Sequence, residues 1–196
     1  SQPIMVLNRR LRKNSSHSVW CDHKQTSFNA VAELITAGHQ EIAFLTGSMD
    51  SPTSIERLAG YKDALAQHSI ALNEKLIANG KWTPASGAEG VETLLERGAK
   101  FSALVASNDD MAIGAMKALH ERGVAVPEQV SVIGFDDIAI APYIVPALSS
   151  VKIPVTEMIQ EIIGRLIFML DGGDFSPPKT FSGKLIRRGS LIALSQ

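Results

Sequence analysis

The sequence has little of what metal-binding, disulfide-bonded and nucleic-acid-binding proteins need. Cys21 is its one cysteine, which excludes an internal disulfide and a cysteine metal cluster and agrees with a reducing compartment. The formal net charge is −1, so no net basic field attracts nucleic acid. The five histidines show no metal-like spacing and are interpreted as surface or capping residues. We therefore expect neither a metal nor a cofactor.

Long hydrophobic runs and enzyme motifs are also missing. The longest apolar stretch, residues 159–170, is interrupted by Gln160, Glu161 and Arg165, so we see no transmembrane or secretory segment and expect a cytoplasmic protein. The sequence has no G-x-S-x-G elbow, no G-x-x-x-x-G-K-[ST] loop and no G-x-G-x-x-G after a strand. Acyl transfer, nucleotide hydrolysis and dinucleotide binding lose their usual support, and we do not expect an enzyme.

What the sequence does contain is a strand, helix, strand unit between residues 103 and 137. Residues 103–106 are apolar without alternation, as expected of a strand buried on both faces of a parallel sheet. Asn108 or Asp109 can cap the helix that follows, and Gly123 ends it. Residues 130–133 form the next strand. A connection of this length predicts a right-handed parallel crossover.

The same unit occurs elsewhere in the chain. A helix ending at Gly38 precedes an apolar strand at 42–45, and two further helices follow. This alternation predicts an α/β fold with an open parallel sheet covered by helices. Ligands bind such sheets beyond the carboxyl ends of the strands, near a switch in strand order. Residues 46–48, Asn108 and Asp136 all stand at such ends.

Asp136 and Asp137 form an adjacent carboxylate pair at a strand end. The pair either shapes a turn or binds a ligand, because an ionised carboxylate can accept hydrogen bonds from two sugar hydroxyls. Their position at the carboxyl edge favours ligand binding by Asp136 and a structural role for Asp137.

Arg57 and Trp82 are further candidates. Arg57 is predicted in the first turn of a helix, where a cation gains nothing from the helix dipole, so it is either a solvated residue or a ligand group. Trp82 is predicted in a loop before a helix start at Ser86. An exposed tryptophan there either stacks on a sugar ring or covers the sheet.

The two ends of the sequence suggest a second lobe. Residues 3–7 read as a buried strand with no preceding helix, and residues 155–170 make a broader apolar helix face than a surface helix needs. We expect one complete lobe, residues 22–152 and 183–196, and part of a second, residues 1–21 and 155–182.

Several segments resemble the LacI/GalR family of bacterial transcription repressors. The matching segments are residues 38–43, 57–61, 108–115, 126–127 with 130–137, and 146–151. The resemblance implies a fold like that of the periplasmic sugar-binding proteins (type I), with two parallel-sheet lobes and an effector in the cleft. The family's effector contacts map onto Asn8, Thr53, Arg57, Trp82, Asn108 and Asp136.

The resemblance also implies partners. We expect a sugar or β-glucoside effector, and a homodimer formed through the complete lobe. For this contact, residues 141–146 are either an exposed apolar patch or a packed loop. Operator DNA would be bound only through an N-terminal helix-turn-helix head, which we expect to be missing from this chain. The alternatives are a periplasmic sugar-binding protein of a transport system and a sugar-modifying enzyme.

Overall fold

The computed structural model describes residues 4–9, 11, 17–173 and 179–194. The chain divides into two compact units. The small unit comprises Ser1–Asp22 and Ile153–Gly183, and the large unit comprises His23–Lys152 and Lys184–Gln196. Asn8 lies in the small unit, and the other five candidate site residues lie in the large unit.

The elements alternate between strand and helix along most of the chain. The strands are β1 (Val6–Leu7), β2 (Ser18–Val19), β3 (Ile42–Thr46), β4 (Ile77–Asn79), β5 (Ala103–Ala106), β6 (Ser131–Phe135), β7 (Ser149–Lys152) and β8 (Lys184–Ile186). The helices are α1 (His23–Thr36), α2 (Pro52–Gln67), α3 (Pro84–Glu96), α4 (Asp109–Glu121) and α5 (Val155–Leu170), with a short 3-10 helix at Glu74–Leu76.

The large unit contains a six-stranded sheet in the order β4-β3-β5-β6-β7-β8. Neighbouring strands from β4 to β7 are parallel, which confirms the predicted parallel sheet, and β8 pairs antiparallel with β7 at the edge. None of β4, β7 and β8 was predicted as a strand. The chain order reverses between β3 and β5, because β4 lies on one side of this pair and β6 on the other. This is the switch point beside which ligands bind in such sheets.

Helices cover both faces of this sheet. Successive side chains of a strand point to opposite faces, so Ala43 and Leu45 lie in the cluster formed with α3 and α4. Phe44 points the other way and packs against Tyr61 of α2, with ring centroids 4.9 Å apart. The residues of β3, β5 and β6 are all buried, as the unalternated apolar runs predicted.

The small unit contains β1, β2 and α5. β1 and β2 form a two-stranded parallel sheet, and Cys21 makes an isolated bridge to Phe181. The strand predicted at 3–7 is observed only at Val6–Leu7, and its first residue lies outside the described part of the chain. α5 occupies the predicted residues, and Met158 is the one residue of the helix that is buried within this structure. No helix in the described residues is long and apolar enough to cross a membrane.

Candidate functional site

Trp82 and Gly47 bring the end of β3 close to the start of α3. A Cβ atom on Gly47 would lie 2.2 Å from Trp82 Cζ2, so the indole ring packs directly on the glycine backbone. Trp82 is half-buried and has a left-handed backbone, with φ +67°. α3 begins at Pro84, earlier than the predicted Ser86. The tryptophan ring therefore covers the end of the strand, and the residue as a whole is half-buried.

Asn108 links this tryptophan to the next strand end. It is the N-cap of α4, and its Oδ1 accepts a hydrogen bond from Met111 N at 3.0 Å, as predicted for Asn108 or Asp109. Its Nδ2 donates to the Trp82 carbonyl oxygen at 3.0 Å. An amide nitrogen has two hydrogens, and this contact uses one N–H of the half-buried side chain.

Arg57 lies under the same edge of the sheet. Its guanidinium donates to the Ser107 carbonyl oxygen and lies 4.2 Å from the centroid of the Phe135 ring. The residue is 2% exposed, so the interpretation as a solvated helix residue is wrong. The predicted position in the first turn is also wrong, because α2 begins at Pro52 and Arg57 is its sixth residue.

Asp136 faces this arginine. Its Oδ1 lies 3.4 Å from Arg57 Nη2, and its side chain is 45% exposed while that of Arg57 is almost completely buried. The carboxylate thus balances a buried charge on one side and is open to solvent on the other. Asp136 has φ +104°, a conformation that non-glycine residues rarely adopt and that is concentrated at functional sites.

Thr53 belongs to the first turn of α2, four residues before Arg57, and is half-buried. Residues four apart lie on the same face of a helix. Two buried hydroxyls lie close to these residues in the chain, Ser54 Oγ and Ser107 Oγ, and neither has a hydrogen-bond partner among the described residues. Buried hydroxyls without a protein partner mark places where water or a polar ligand is expected.

Asn8 directly follows β1 in the small unit and is exposed. Its backbone is left-handed, with φ +54°, and its N–H donates to the Val19 carbonyl oxygen at 2.7 Å. The structure therefore brings together Arg57 with Asp136 and Trp82 with Asn108, and these pairs are connected because Arg57 binds the carbonyl of the residue before Asn108.

Sequence reasoning missed the role of Asp109. The carboxylate is completely buried and accepts hydrogen bonds from Ile138 N at 2.9 Å and Ser150 Oγ at 2.6 Å. Burial raises the pKa of Asp109 to about 6, and the charges of Asp136 and Asp137 add to the increase. An aspartate beside an asparagine cap reads as part of the cap, so no local signal indicates that Asp109 contacts another loop.

Histidine burial also differs from expectation. His23 and His39 are buried, although scattered histidines were interpreted as surface or capping residues. His39 Nε2 lies 3.0 Å from the Ile192 carbonyl oxygen and Nδ1 lies 2.9 Å from Ser102 Oγ, so the ring ties the C-terminal segment to the rest of the large unit. No group of three metal-ligating side chains occurs within the described ranges.

These side chains suit a neutral, polyhydroxylated ligand. A carboxylate accepts from hydroxyls, a guanidinium and an amide donate to them, and an indole packs on the apolar face of a sugar ring. The mixture of an apolar surface with a few convergent polar groups is typical of small-molecule sites.

Comparison with known proteins gives one consistent result. The chain matches the family of periplasmic binding protein-like domains over residues 31–191. It is 96% identical over all 196 residues to the HTH-type transcriptional regulator AscG of Escherichia coli strain K12, and it spans 58% of that regulator's length.

Solved structures that are similar to this chain are also transcriptional regulators. One is a sugar-binding transcriptional regulator of the LacI family from Escherichia coli, complexed with phosphate; it is 97% identical with a TM-score of 0.95, over 98% of this chain and 69% of that one. Another is a complex of the transcriptional regulator CelR with cellobiose, 30% identical with a TM-score of 0.85, over 94% of this chain and 57% of that one.

Proposed function

Because this chain belongs to the LacI family of transcriptional regulators and carries its periplasmic binding protein-like domain, we propose that it is the effector-binding and dimerisation part of a sugar-responsive repressor. The observation that carries the proposal is the pairing of buried Arg57 with half-exposed Asp136 at the carboxyl ends of β5 and β6, next to the strand-order switch. Another part of the full-length protein would contact operator DNA, and this role places the protein in the cytoplasm.

The effector we propose is a β-glucoside or a related sugar. The similar regulator CelR was solved with cellobiose, which is a β-glucoside. Asp136 would accept hydrogen bonds from two ring hydroxyls, Arg57 and Asn108 would donate, and Trp82 would stack on the ring. Thr53 would add a hydroxyl from the first turn of α2. Asn8 is proposed as a further contact on the family resemblance.

The regulatory step follows from binding. A sugar shifts a regulator between two conformations only by as much as it binds one of them more tightly than the other. Operator affinity would then change because the two DNA-binding heads of a dimer must match the spacing of two half-sites. A transport protein of the periplasm has the same fold, and the regulatory function of the relatives favours the repressor.

Calorimetric titration of the full-length protein with cellobiose and a panel of monosaccharides tests the site. A charged hydrogen bond contributes roughly 1.5–3 kcal/mol, so the loss of two in Asp136→Ala should weaken binding by at least about 100-fold. Asp110→Ala is the matched control, because it also removes an exposed carboxylate, in the first turn of α4. Full affinity in Asp136→Ala, or no binding of any sugar to the wild type, would contradict the proposal.

The dimer contact we propose is the surface around residues 141–146. Val145 is 95% exposed and Tyr143 79% exposed, whereas Ala141 is buried, so the segment is part patch and part packed loop. It borders an apolar groove of about 450 Å³ that side chains of α4, including Ile113 and Met116, also line. An exposed apolar patch beside such a groove suits a second copy of the chain.

Sedimentation equilibrium of the full-length protein tests this contact. A charge in the centre of an apolar interface is costly, so Val145→Asp should give monomers at concentrations where the wild type is dimeric. Leu72→Asp, at another exposed apolar residue, should remain dimeric. A wild type that is monomeric at high concentration would refute the proposal.

A further inference from the structure

Asp109 connects the start of α4 to the turn that carries Asp136. The Asp109 carboxylate receives the N–H of Ile138, the residue that follows the Asp136-Asp137 pair, at 2.9 Å. Its other oxygen receives the Ser150 hydroxyl at 2.6 Å. Neither bond is local, because Ile138 lies 29 residues and Ser150 lies 41 residues after Asp109 in the chain.

Ser150 extends this connection by one residue. Its hydroxyl donates to Asp109 and accepts from Asp137 N at 2.9 Å. Two consecutive amides of the turn, those of Asp137 and Ile138, therefore end on the Asp109 carboxylate, one directly and one through a buried serine.

The backbone of the turn needs such support. Asp136 and Asp137 have φ values of +104° and +54°. Each non-glycine residue in the left-handed region costs on the order of 1 kcal/mol or more and persists only where its surroundings hold it. Gly134 leaves the room that the carboxylate occupies, because a Cβ atom there would lie 2.2 Å from Asp109 Oδ1.

We propose that Asp109 is a positioning residue for the effector site. Its carboxylate holds the Asp136-Asp137 turn so that the Asp136 carboxylate faces Arg57 and the effector. The inference rests on the proposed function, because it concerns the same effector site. It adds to the site a residue that does not touch the effector. It also adds a condition, because the site is formed only while Asp109 is ionised.

Burial and the charges around Asp109 bring the loss of its ionised state close to neutral pH. Burial raises the pKa of Asp109 to about 6, and the Asp136 and Asp137 carboxylates at the end of β6 add to the increase. The cations close to the turn are each paired with one of these carboxylates, Arg57 with Asp136 and Arg188 with Asp137 at 2.6 Å. Protonation puts a donor where Asp109 now accepts, which removes an acceptor from Ile138 or Ser150.

The first experiment needs no ligand. Hydrogen exchange of the Asp137 and Ile138 amides, followed by NMR from pH 7.5 to 5, should show protection factors that fall below about pH 6. In Asp109→Asn and Ser150→Ala the amide protection should be low at every pH. Ser190→Ala is the matched control, because Ser190 is also completely buried and makes two hydrogen bonds, to Val132 O and from Ser149 N. It should retain the wild-type profile.

The second experiment measures the effector site. If the form with protonated Asp109 does not bind, a pKa of about 6 predicts that the Kd of the full-length protein for cellobiose rises about tenfold from pH 7 to pH 5. Asp109→Asn should bind cellobiose more weakly than the wild type at pH 7. Its Kd should not show the tenfold rise between pH 7 and pH 5. A wild-type Kd and pH profile in Asp109→Asn would overturn the proposal.

The two experiments distinguish a failure of the proposed sugar binding from a failure of the proposed role of Asp109. If cellobiose and the sugar panel do not bind the wild type, the proposed function fails, and the exchange experiment still decides the role of Asp109. Unchanged protection of the Asp137 and Ile138 amides in both Asp109→Asn and Ser150→Ala would overturn that role. If Asp109→Asn does not fold, Ser150→Ala carries both measurements.

Discussion

Replacement of Gly114 by alanine should separate two helices on which the candidate site depends. α3 and α4 approach so closely that a Cβ atom on Gly114 would lie 1.8 Å from the Pro84 carbonyl oxygen. The reciprocal contact is equally tight, since a Cβ on Gly87 would lie 2.0 Å from the Met111 carbonyl oxygen. Both neighbours are backbone atoms, which cannot rotate away as a flexible side chain can.

The change in the free energy of unfolding of Gly114→Ala is the sum of two opposing effects. Real Cβ atoms essentially never come within 3.0 Å of such an oxygen, so the helices must part by about 1.2 Å, the difference between 3.0 and 1.8 Å. Overpacking of this kind costs roughly 3 kcal/mol, and alanine regains about 1 kcal/mol of helix propensity. The net loss in the free energy of unfolding is about 2 kcal/mol, or roughly 4–8 °C in Tm for a chain of this length.

Gly164→Ala is the matched control. Gly164 also lies inside a helix, and a Cβ there would meet nothing within 4 Å, so this variant should gain up to about 1 kcal/mol. Urea and thermal unfolding, followed by circular dichroism, measure both variants. Because Pro84 lies two residues after Trp82, whose carbonyl binds Asn108, Gly114→Ala should also weaken sugar binding. A Gly114→Ala protein as stable as Gly164→Ala would refute the reasoning.

Two further predictions concern buried charges. Burial lowers the pKa of His39 below its usual 6.5, so protonation favours the unfolded chain and stability is lost as the pH falls below about 6.5. Urea unfolding at pH 7 and pH 5 should show a smaller loss in His39→Gln, and an equal loss would contradict this. Arg188→Met should cost about 3 kcal/mol in thermal unfolding, because it leaves the mostly buried Asp137 carboxylate without its cation. The double variant with Asp137→Asn should regain part of this loss, and an unchanged Tm in Arg188→Met would be the contrary result.

The central elements of the fold could be predicted because their signals are local. The apolar run at 103–106 and the glycine at 123 mark the strand and helix end that the structure shows. β4 was missed because three residues are too short to show a period. β8 was missed because an antiparallel edge strand depends on its partner β7, which lies more than 30 residues earlier in the chain.

The candidate site was predicted in part for the same reason. Asn108 and Asp136 follow strands, and parallel strands gather their carboxyl ends at one edge, so position alone made them candidates. The LacI-family resemblance added Asn8 and Thr53, which position did not indicate. Arg57 was a candidate for the wrong reason, since its distinguishing property is burial under the sheet edge and not its place in the helix.

The sequence by itself determined the alternation of strands and helices, the family and the edge of the sheet where polar groups collect, because apolar periodicity, capping residues and family motifs can be read from neighbouring residues. Only the tertiary structure decided that Arg57 is buried opposite Asp136 and that Asp109 receives two hydrogen bonds across β6. These contacts join residues 29 to 79 positions apart, and their charge states depend on burial, which no local pattern encodes.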